Sequence, residues 1–420
     1  MQKNSQKKNK GINRRTFLKV AGVAGAATLV GGFPYVVHPS VKEVLIGNIT
    51  PLTGPLAGNG NQVRGGVDLA AEEINAAGGI KSLGGAKLKI LHADSEGKVE
   101  LGVAEAERLI QKEGVPVFLC YGSSIGYAVA ATAEKYKTPL LLTMALADNI
   151  LERGFKYTFR IICNTSQAVK RIMVIFVELA REMGSPVKTF ATIHEDTLFG
   201  TPNSDLARKF APELGLEMIA DIPYSFKTAD LSTEVGKLKA AKPDIICPTG
   251  YTGDMALFAR TLKEMKVNCK AVVGLTAGGM SWDYFAKEVG DAAEYLMNGT
   301  NGTNPIHPRN LANAKKWRWS GQYAMDDAGY PYMTVFTLKD ALERAGSLDK
   351  KAIRDALAAT KLYDHTLVTD KPIVFDETGQ NINAFPPVSQ IQKGKVVWVW
   401  PKQYSTGKPI FPVPRWEDRK

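Results

Sequence analysis

The stretch GNITPLTGPLAGNGNQVRGGVDLAAEEIN, residues 47–75, joins an apolar run to a Gly- and Asn-rich segment and then to an amphipathic helix. A junction of this kind presents backbone N–H groups and a helix N-terminus to an anion. Spacing decides which anion. A dinucleotide fingerprint needs G-x-G-x-x-G directly after the strand. Here Gly58-Asn59-Gly60 is followed by Asn61, Gln62, Val63 and Arg64, so the third glycine comes too late, and Gly58 stands nine residues beyond Ile49. A G-x-x-x-x-G-K-[ST] loop is absent as well. No nucleotide or other cofactor is therefore expected. A second junction lies at Ser123 and Ser124, which follow an apolar run ending at Cys120 and precede a helix. A serine there can offer its hydroxyl, its own N–H and the helix N-terminus to an anion; the plainer alternative is N-capping.

Reactive chemistry is poorly served. His92, His194, His307 and His365 are scattered, without metal-ligand spacing. His194-Glu195-Asp196 has the composition of a catalytic cluster but closes a strand, and no G-x-S-x-G elbow occurs. Cys120, Cys163, Cys247 and Cys269 show no C-x-x-C pairing, and Cys120 and Cys247 each end an apolar run, so free thiols are expected. Neither catalysis nor a metal site is expected. The residues suit holding a molecule better than transforming it.

The elements that would position these residues follow from periodicity. Apolar runs of strand length occur at 43–49, 88–93, 115–120 and 139–144, then again at 188–194, 216–224, 243–250 and 270–275. Between them lie helical patterns: Val63, Val67, Ala70 and Ile74 share one face, and Val99, Val103, Ala106 and Ile110 another. Strands apolar on both faces, alternating with helices, predict parallel sheets covered on both sides. The restart near residue 165 predicts two similar α/β lobes. Residues 308–360 read as helical, with Ser347 as a cap before Ala352, Ile353, Ala356 and Leu357. The segments 371–380 and 389–401 read as strand-turn-strand with turns at Gly379 and Gly394, and the tail 401–420 is proline-rich and extended.

Net charge is +11, which by itself would suggest nucleic acid. Residues 1–40, however, hold seven basic residues and no acid; without them 46 basic residues face 42 acidic, or +4. A body so near neutral lacks the footprint for a phosphate backbone. The basic start, NRRTFLKVAGVAGAATLVGG, resembles a twin-arginine export signal: two arginines, Phe17, Leu18 and Lys19 precede a short Gly/Ala-rich apolar run. The resemblance implies export of the folded chain to the periplasm. No small-x-small cleavage pattern stands clear before Pro39, so retention of the leader as an anchor stays open. No other stretch has 18 uninterrupted apolar residues, and the body is expected to be soluble, touching the membrane only through a partner or that leader.

IGNITPLTGPLAGNGNQVRGGVDLAAEEINAAGGI, CYGSSIGYAVAATAEKYKTPLLLTMA, ERGFKYTFRI, ATIHEDTLFGTPNSDLARKF and PDIICPTGYTGDMALFARTLKEM resemble, block by block and in order, the periplasmic type I solute-binding proteins. The branch is the one named for branched-chain amino acids, which feeds ABC importers. The resemblance implies two doubly wound parallel-sheet lobes joined by three hinge crossovers, closing on one small molecule. Lobe one would take 41–164 and 300–366, and lobe two 165–299 and 367–400. The ligand would lie at the carboxyl ends of the strands. The partners implied are the small-molecule ligand and the importer's permease subunits.

It also implies site residues. Ser124 matches the serine that holds the ligand carboxylate, with Ser123 beside it. Ala145 and Ala147 match a small residue and a threonine that complete that site, so a hydroxyl is missing here. Asn59 falls in the opening loop where relatives carry a side-chain lid; a turn asparagine is the alternative. Phe199 and Tyr251 fall where relatives place rings over the ligand. Trp282 and Tyr284 are secondary positions of the same kind. Amino-acid-binding relatives place a glutamate near Thr276, which is neutral. A desolvated ammonium without a carboxylate partner would be costly, unless Asp148 or Asp254 replaced it. An aromatic or short aliphatic acid without an α-amino group is therefore the expected ligand, with an amino acid as the alternative. A ligand-sensing module of the same fold and a small-molecule hydrolase are the competing functions.

Overall fold

The computed structural model describes residues 41–319 and 321–419. The leader, residues 1–40, lies outside them. The first part alternates β1 (Glu43–Thr50), α1 (Ala57–Ala76), β2 (Lys87–Asp94), α2 (Val99–Gln111), β3 (Val117–Cys120), α3 (Ser123–Lys135), β4 (Leu140–Leu142) and β5 (Thr158–Arg160). The pattern resumes with α4 (Thr165–Glu182), β6 (Thr189–Glu195), α5 (Gly200–Phe210), β7 (Glu217–Tyr224), α6 (Ser232–Ala241), β8 (Ile245–Thr249), α7 (Thr252–Glu264), β9 (Ala271–Leu275), α8 (Asp283–Val289) and β10 (Met297–Gly299). Three helices follow: α9 (Pro308–Lys316), α10 (Gly329–Ala345) and α11 (Lys350–Ala358). Four strands close the chain: β11 (Lys361–Leu362), β12 (Ile373–Val374), β13 (Val388–Gln392) and β14 (Lys395–Trp400).

Two sheets result. The first has order β2-β1-β3-β4-β5, with all pairs parallel. The second has order β14-β13-β10-β9-β8-β6-β7. Its strands from β10 to β7 are parallel, and the β13–β14 hairpin adds an antiparallel edge. Each sheet is buried on both faces, the physical condition for parallel strands. On the first, Val44 and Ile46 pack with Val67, Ile74, Tyr330 and Leu338, while Ile49 and Phe118 pack with Leu109, Ile125 and Val129. On the second, Ile193 and Ile246 meet Met255, Phe258 and Phe285, while Phe190 and Val273 meet Ile172 and Phe176.

The chain passes between the sheets after β5, again after β10 and a third time before β13. These passages are bonded to one another. Asn301 Oδ1 accepts the Cys163 amide at 3.0 Å, and Pro387 O accepts the Thr300 amide at 3.1 Å.

Several local expectations shift. The Gly-rich segment is helix, not loop: α1 starts at Ala57 and includes Gly58, Gly60, Gly65 and Gly66. Gly60, Gly65 and Gly66 are contact points, while Gly58 faces open space; a Cβ on Gly60 would fall 1.7 Å from Pro51 O, and one on Gly66 2.2 Å from Ala328 O. On α2 the buried positions are Gly102, Ala106, Leu109 and Ile110, and Val99 is exposed. Asp349, not Ser347, caps α11, accepting the Ala352 amide at 2.8 Å. Leu367, Ile373 and Phe375 pack in one core with Val44, Ile46 and Leu338. Residues 401–419 are not free of the second lobe: Phe411 and Trp416 pack into it, and Lys270 O accepts the Val413 amide at 2.8 Å. All four cysteines are free.

Candidate ligand-binding cleft

Strand ends converge where the sheets face each other. The cleft there is lined by Asn59, Tyr121, Gly122, Ser123, Met144, Leu146, Phe199, Gly250, Tyr251, Thr276, Gly278, Thr300, Asn301, Asp326 and Asp327. Its cavity volume is about 40 Å³, room for a few waters.

Five of the expected residues meet here: Asn59, Ser123, Phe199, Tyr251 and Thr276. Ser124, Ala145 and Ala147 do not line it. Ser124 is the second residue of α3 and half-buried away from the cleft. Ala145 and Ala147 are buried behind it, and their carbonyls accept Arg160 Nη1 at 2.9 Å each. Met144 and Leu146 take their place in the wall. Asp148 is also elsewhere: it accepts the Ser166 amide and hydroxyl at the start of α4.

Lobe one contributes an open helix end. Gly122, at φ 87, turns the chain from β3 into α3, a left-handed conformation suited to glycine. No side chain caps α3, and the first amides of a helix have no acceptor within it. Ser123 Oγ accepts the Leu146 and Ala147 amides at 3.1 and 3.3 Å, which leaves its hydroxyl proton to donate.

Lobe two contributes rings and helix ends that are already filled. Phe199 and Tyr251 stand with centroids 5.3 Å apart at 45°, and Phe226 packs on Tyr251 at 5.6 Å. At the start of α5, Glu195 accepts the Gly200 and Thr197 amides. At α7, Asp254 accepts Tyr224 Oη at 2.5 Å and the Tyr251 amide. Burial holds the Glu195 carboxyl above its usual range and pushes Asp254 up to about 7, against the hydrogen bonds that favour their charged forms. Thr276, at φ 61, is a β-branched residue in a left-handed conformation, a strain of about 1–3 kcal/mol of the kind that gathers at ligand sites.

Asn59 spans the lobes. As part of α1 it is not a turn asparagine; it donates to Asp327 Oδ2 at 2.5 Å and accepts Thr252 Oγ1 at 3.1 Å. Trp282 reaches the site indirectly, donating to Asp326 Oδ1 at 2.6 Å, and Tyr284 is exposed.

Sequence reasoning missed Asn301, Asp326 and Asp327. Asn301 is 1% exposed, and its Nδ2 has no hydrogen-bond partner among the described residues while its Oδ1 accepts the Cys163 amide. The two aspartates stand just before α10, where adjacent acids read as ordinary complements of a helix dipole. Only their burial separates them from that role.

Residues 43–395 match the periplasmic binding protein family, and residues 11–31 match the twin-arginine translocation pathway signal sequence. The chain belongs to the periplasmic binding protein family, whose members are substrate-binding proteins, and it is exported to the periplasm by the twin-arginine route. It is a solute-binding protein of the ABC transporter class. It is 28% identical over 380 residues to Leu/Ile/Val-binding protein homolog 7 of Brucella abortus, covering 86% of this chain and 92% of the relative. Among solved structures it is similar to the leucine binding protein LivK from Thermotoga maritima, with TM-score 0.72, 21% identity, and 85% and 97% of the two chains covered. It is also similar to a solute binding protein from R. palustris in complex with benzoate, with TM-score 0.71, 17% identity, and coverage of 85% and 95%. At such identities these structures speak for the fold.

Proposed function

We propose that this protein captures one compact carboxylate-bearing solute in the cleft and delivers it to the permease of an ABC importer by closing its lobes around it. The observation that carries this reading is the arrangement of opposed walls. The open end of α3, with Ser123, faces lobe-two rings whose own helix ends are occupied. An anion gains most where amides are unpaired and the helix dipole is uncompensated. Phe199, Tyr251, Met144 and Leu146 supply apolar surface for the body of the solute. A solute touching both walls favours the closed state by its differential affinity for it.

The neutral residue at Thr276 no longer argues for a nitrogen-free acid, because Asp326 and Asp327 place carboxyl groups in the same cleft. A thermal-shift screen of the exported chain against small carboxylates tests the receptor reading. A solute at 100 times its Kd should stabilise the fold by about 2.7 kcal/mol, and deletion of the gene should abolish uptake of that solute. Conversion of the bound solute into product would refute it in favour of a hydrolase.

A further inference from the structure

The described lining of the cleft holds no lysine, arginine or histidine. A cation stands one bonded layer behind it. Arg160, the last residue of β5, is 1% exposed. Its Nε donates to Gln380 Oε1 at 2.7 Å, and its Nη1 donates to Ala145 O and Ala147 O at 2.9 Å each. Burial lowers the guanidinium to about 10, which leaves it charged at neutral pH. Among the described residues no carboxylate pairs with it; Asp148, Glu152 and Asp376 act on it from beyond ion-pair distance. A buried charge without a counter-ion is costly, so what its hydrogen bonds lead to matters.

They lead to the cleft. Ala145 O and the Leu146 N–H belong to one peptide group, and that amide donates to Ser123 Oγ at 3.1 Å. The Ala147 amide donates to the same oxygen at 3.3 Å. With both lone pairs engaged, the hydroxyl can only donate. The bonds thus run one way: guanidinium to carbonyl, amide to hydroxyl, hydroxyl to cleft. Bonds joined head to tail in a low-dielectric interior polarise one another. Resting on the receptor reading, we propose that Arg160 is a positioning residue for the carboxylate of the solute: its charge and its grip on Ala145 reach the cleft through one peptide group and the Ser123 hydroxyl. Gln380, 220 positions away in the chain, holds the guanidinium from the far side, and its own Nε2 donates to Ile162 O at 2.7 Å. The polarity of the Ser123 wall is therefore set from the passage that precedes β13.

A thiol at the position of the hydroxyl reads this relay without a solute. In Ser123→Cys the thiolate should form below the ordinary cysteine value of about 8.5, followed by ultraviolet difference titration against the wild-type chain. Arg160→Gln keeps a donor but removes the charge, and in that background the thiol should rise by about one unit or more, a tenfold change in proton affinity. Arg160→Lys keeps the charge and should recover most of the difference. An unchanged thiol in the Arg160→Gln background overturns the inference. Equal titrations in the Gln and Lys backgrounds also overturn it, since a role confined to stapling the 143–147 turn would move both alike. Should Arg160→Gln fail to fold, Gln380→Glu is read in its place. It sets a carboxylate against the same guanidinium and should raise the thiol as well; no rise overturns the inference. These titrations involve no solute, so their failure leaves the receptor reading intact. A thermal-shift screen in which no carboxylate binds counts against that reading alone.

Discussion

Lobe one and lobe two are built from the same alternation of strand and helix, yet they finish their cleft-facing helices differently. In lobe one, α3 begins without a side-chain cap, and Ser123 turns its oxygen toward the Leu146 and Ala147 amides. In lobe two, Glu195 fills the end of α5 and Asp254 that of α7. An open helix end attracts an anion, and an end carrying its own carboxyl repels one. The difference teaches that equivalent topology does not make equivalent walls: one leaves a helix end open, and the other fills its helix ends and supplies rings.

The largest expected effect tests the filled ends. Asp254 is pushed up to about 7 in the fold, against about 3.9 for an unperturbed aspartate. Between about pH 4 and 7 the folded chain keeps a proton that the unfolded chain has released, so stability falls as pH rises through this window. The ceiling is about 4 kcal/mol. Urea unfolding at pH 5 and pH 8 should show the fall, and Asp254→Asn should flatten it. Parallel profiles for the two proteins would mean that Asp254 does not carry its proton in the fold.

Next comes the ring wall. Tyr251→Ala removes the ring packed between Phe199 and Phe226. It should weaken solute binding roughly 100-fold, about 2–3 kcal/mol. Unchanged affinity by calorimetry would take the rings out of the binding surface. The smallest effect discriminates two neighbours in lobe one. Ser123→Ala loses a donor to the cleft and an acceptor for two buried amides, and should cost about tenfold in affinity. Ser124→Ala should leave affinity unchanged, since Ser124 is outside the lining. Equal losses at both positions would erase the assignment of Ser123.

Much of this was legible beforehand because strand text is local. The apolar runs at 43–49, 188–194 and 270–275 became β1, β6 and β9 nearly to the residue. Helix starts were less legible. Gly58 and Gly60 read as loop, since a glycine's cost in a helix is visible in sequence, while the close approach of Pro51 that demands a glycine at position 60 is not. Ser347 and Asp349 are both capping residues, and only the turn geometry chose Asp349. Ser123 and Ser124 presented the same difficulty. Adjacent residues on a helix point about 100° apart, so the packing of α3 against the 143–147 loop decided which hydroxyl met the cleft.

The sequence alone determined the alternation of covered strands and helices and the near-neutral body behind a basic leader. Those properties follow from periodicity and composition, which need no partner. Tertiary structure decided that Asp326 and Asp327 are buried in the wall, that Asn301 keeps an unpaired donor beside the passages between the lobes, and that Asn59 links both halves. Each is a statement about which distant group lies within about 3 Å. Hydrogen bonding and desolvation act at that range, and no run of neighbouring residues records it.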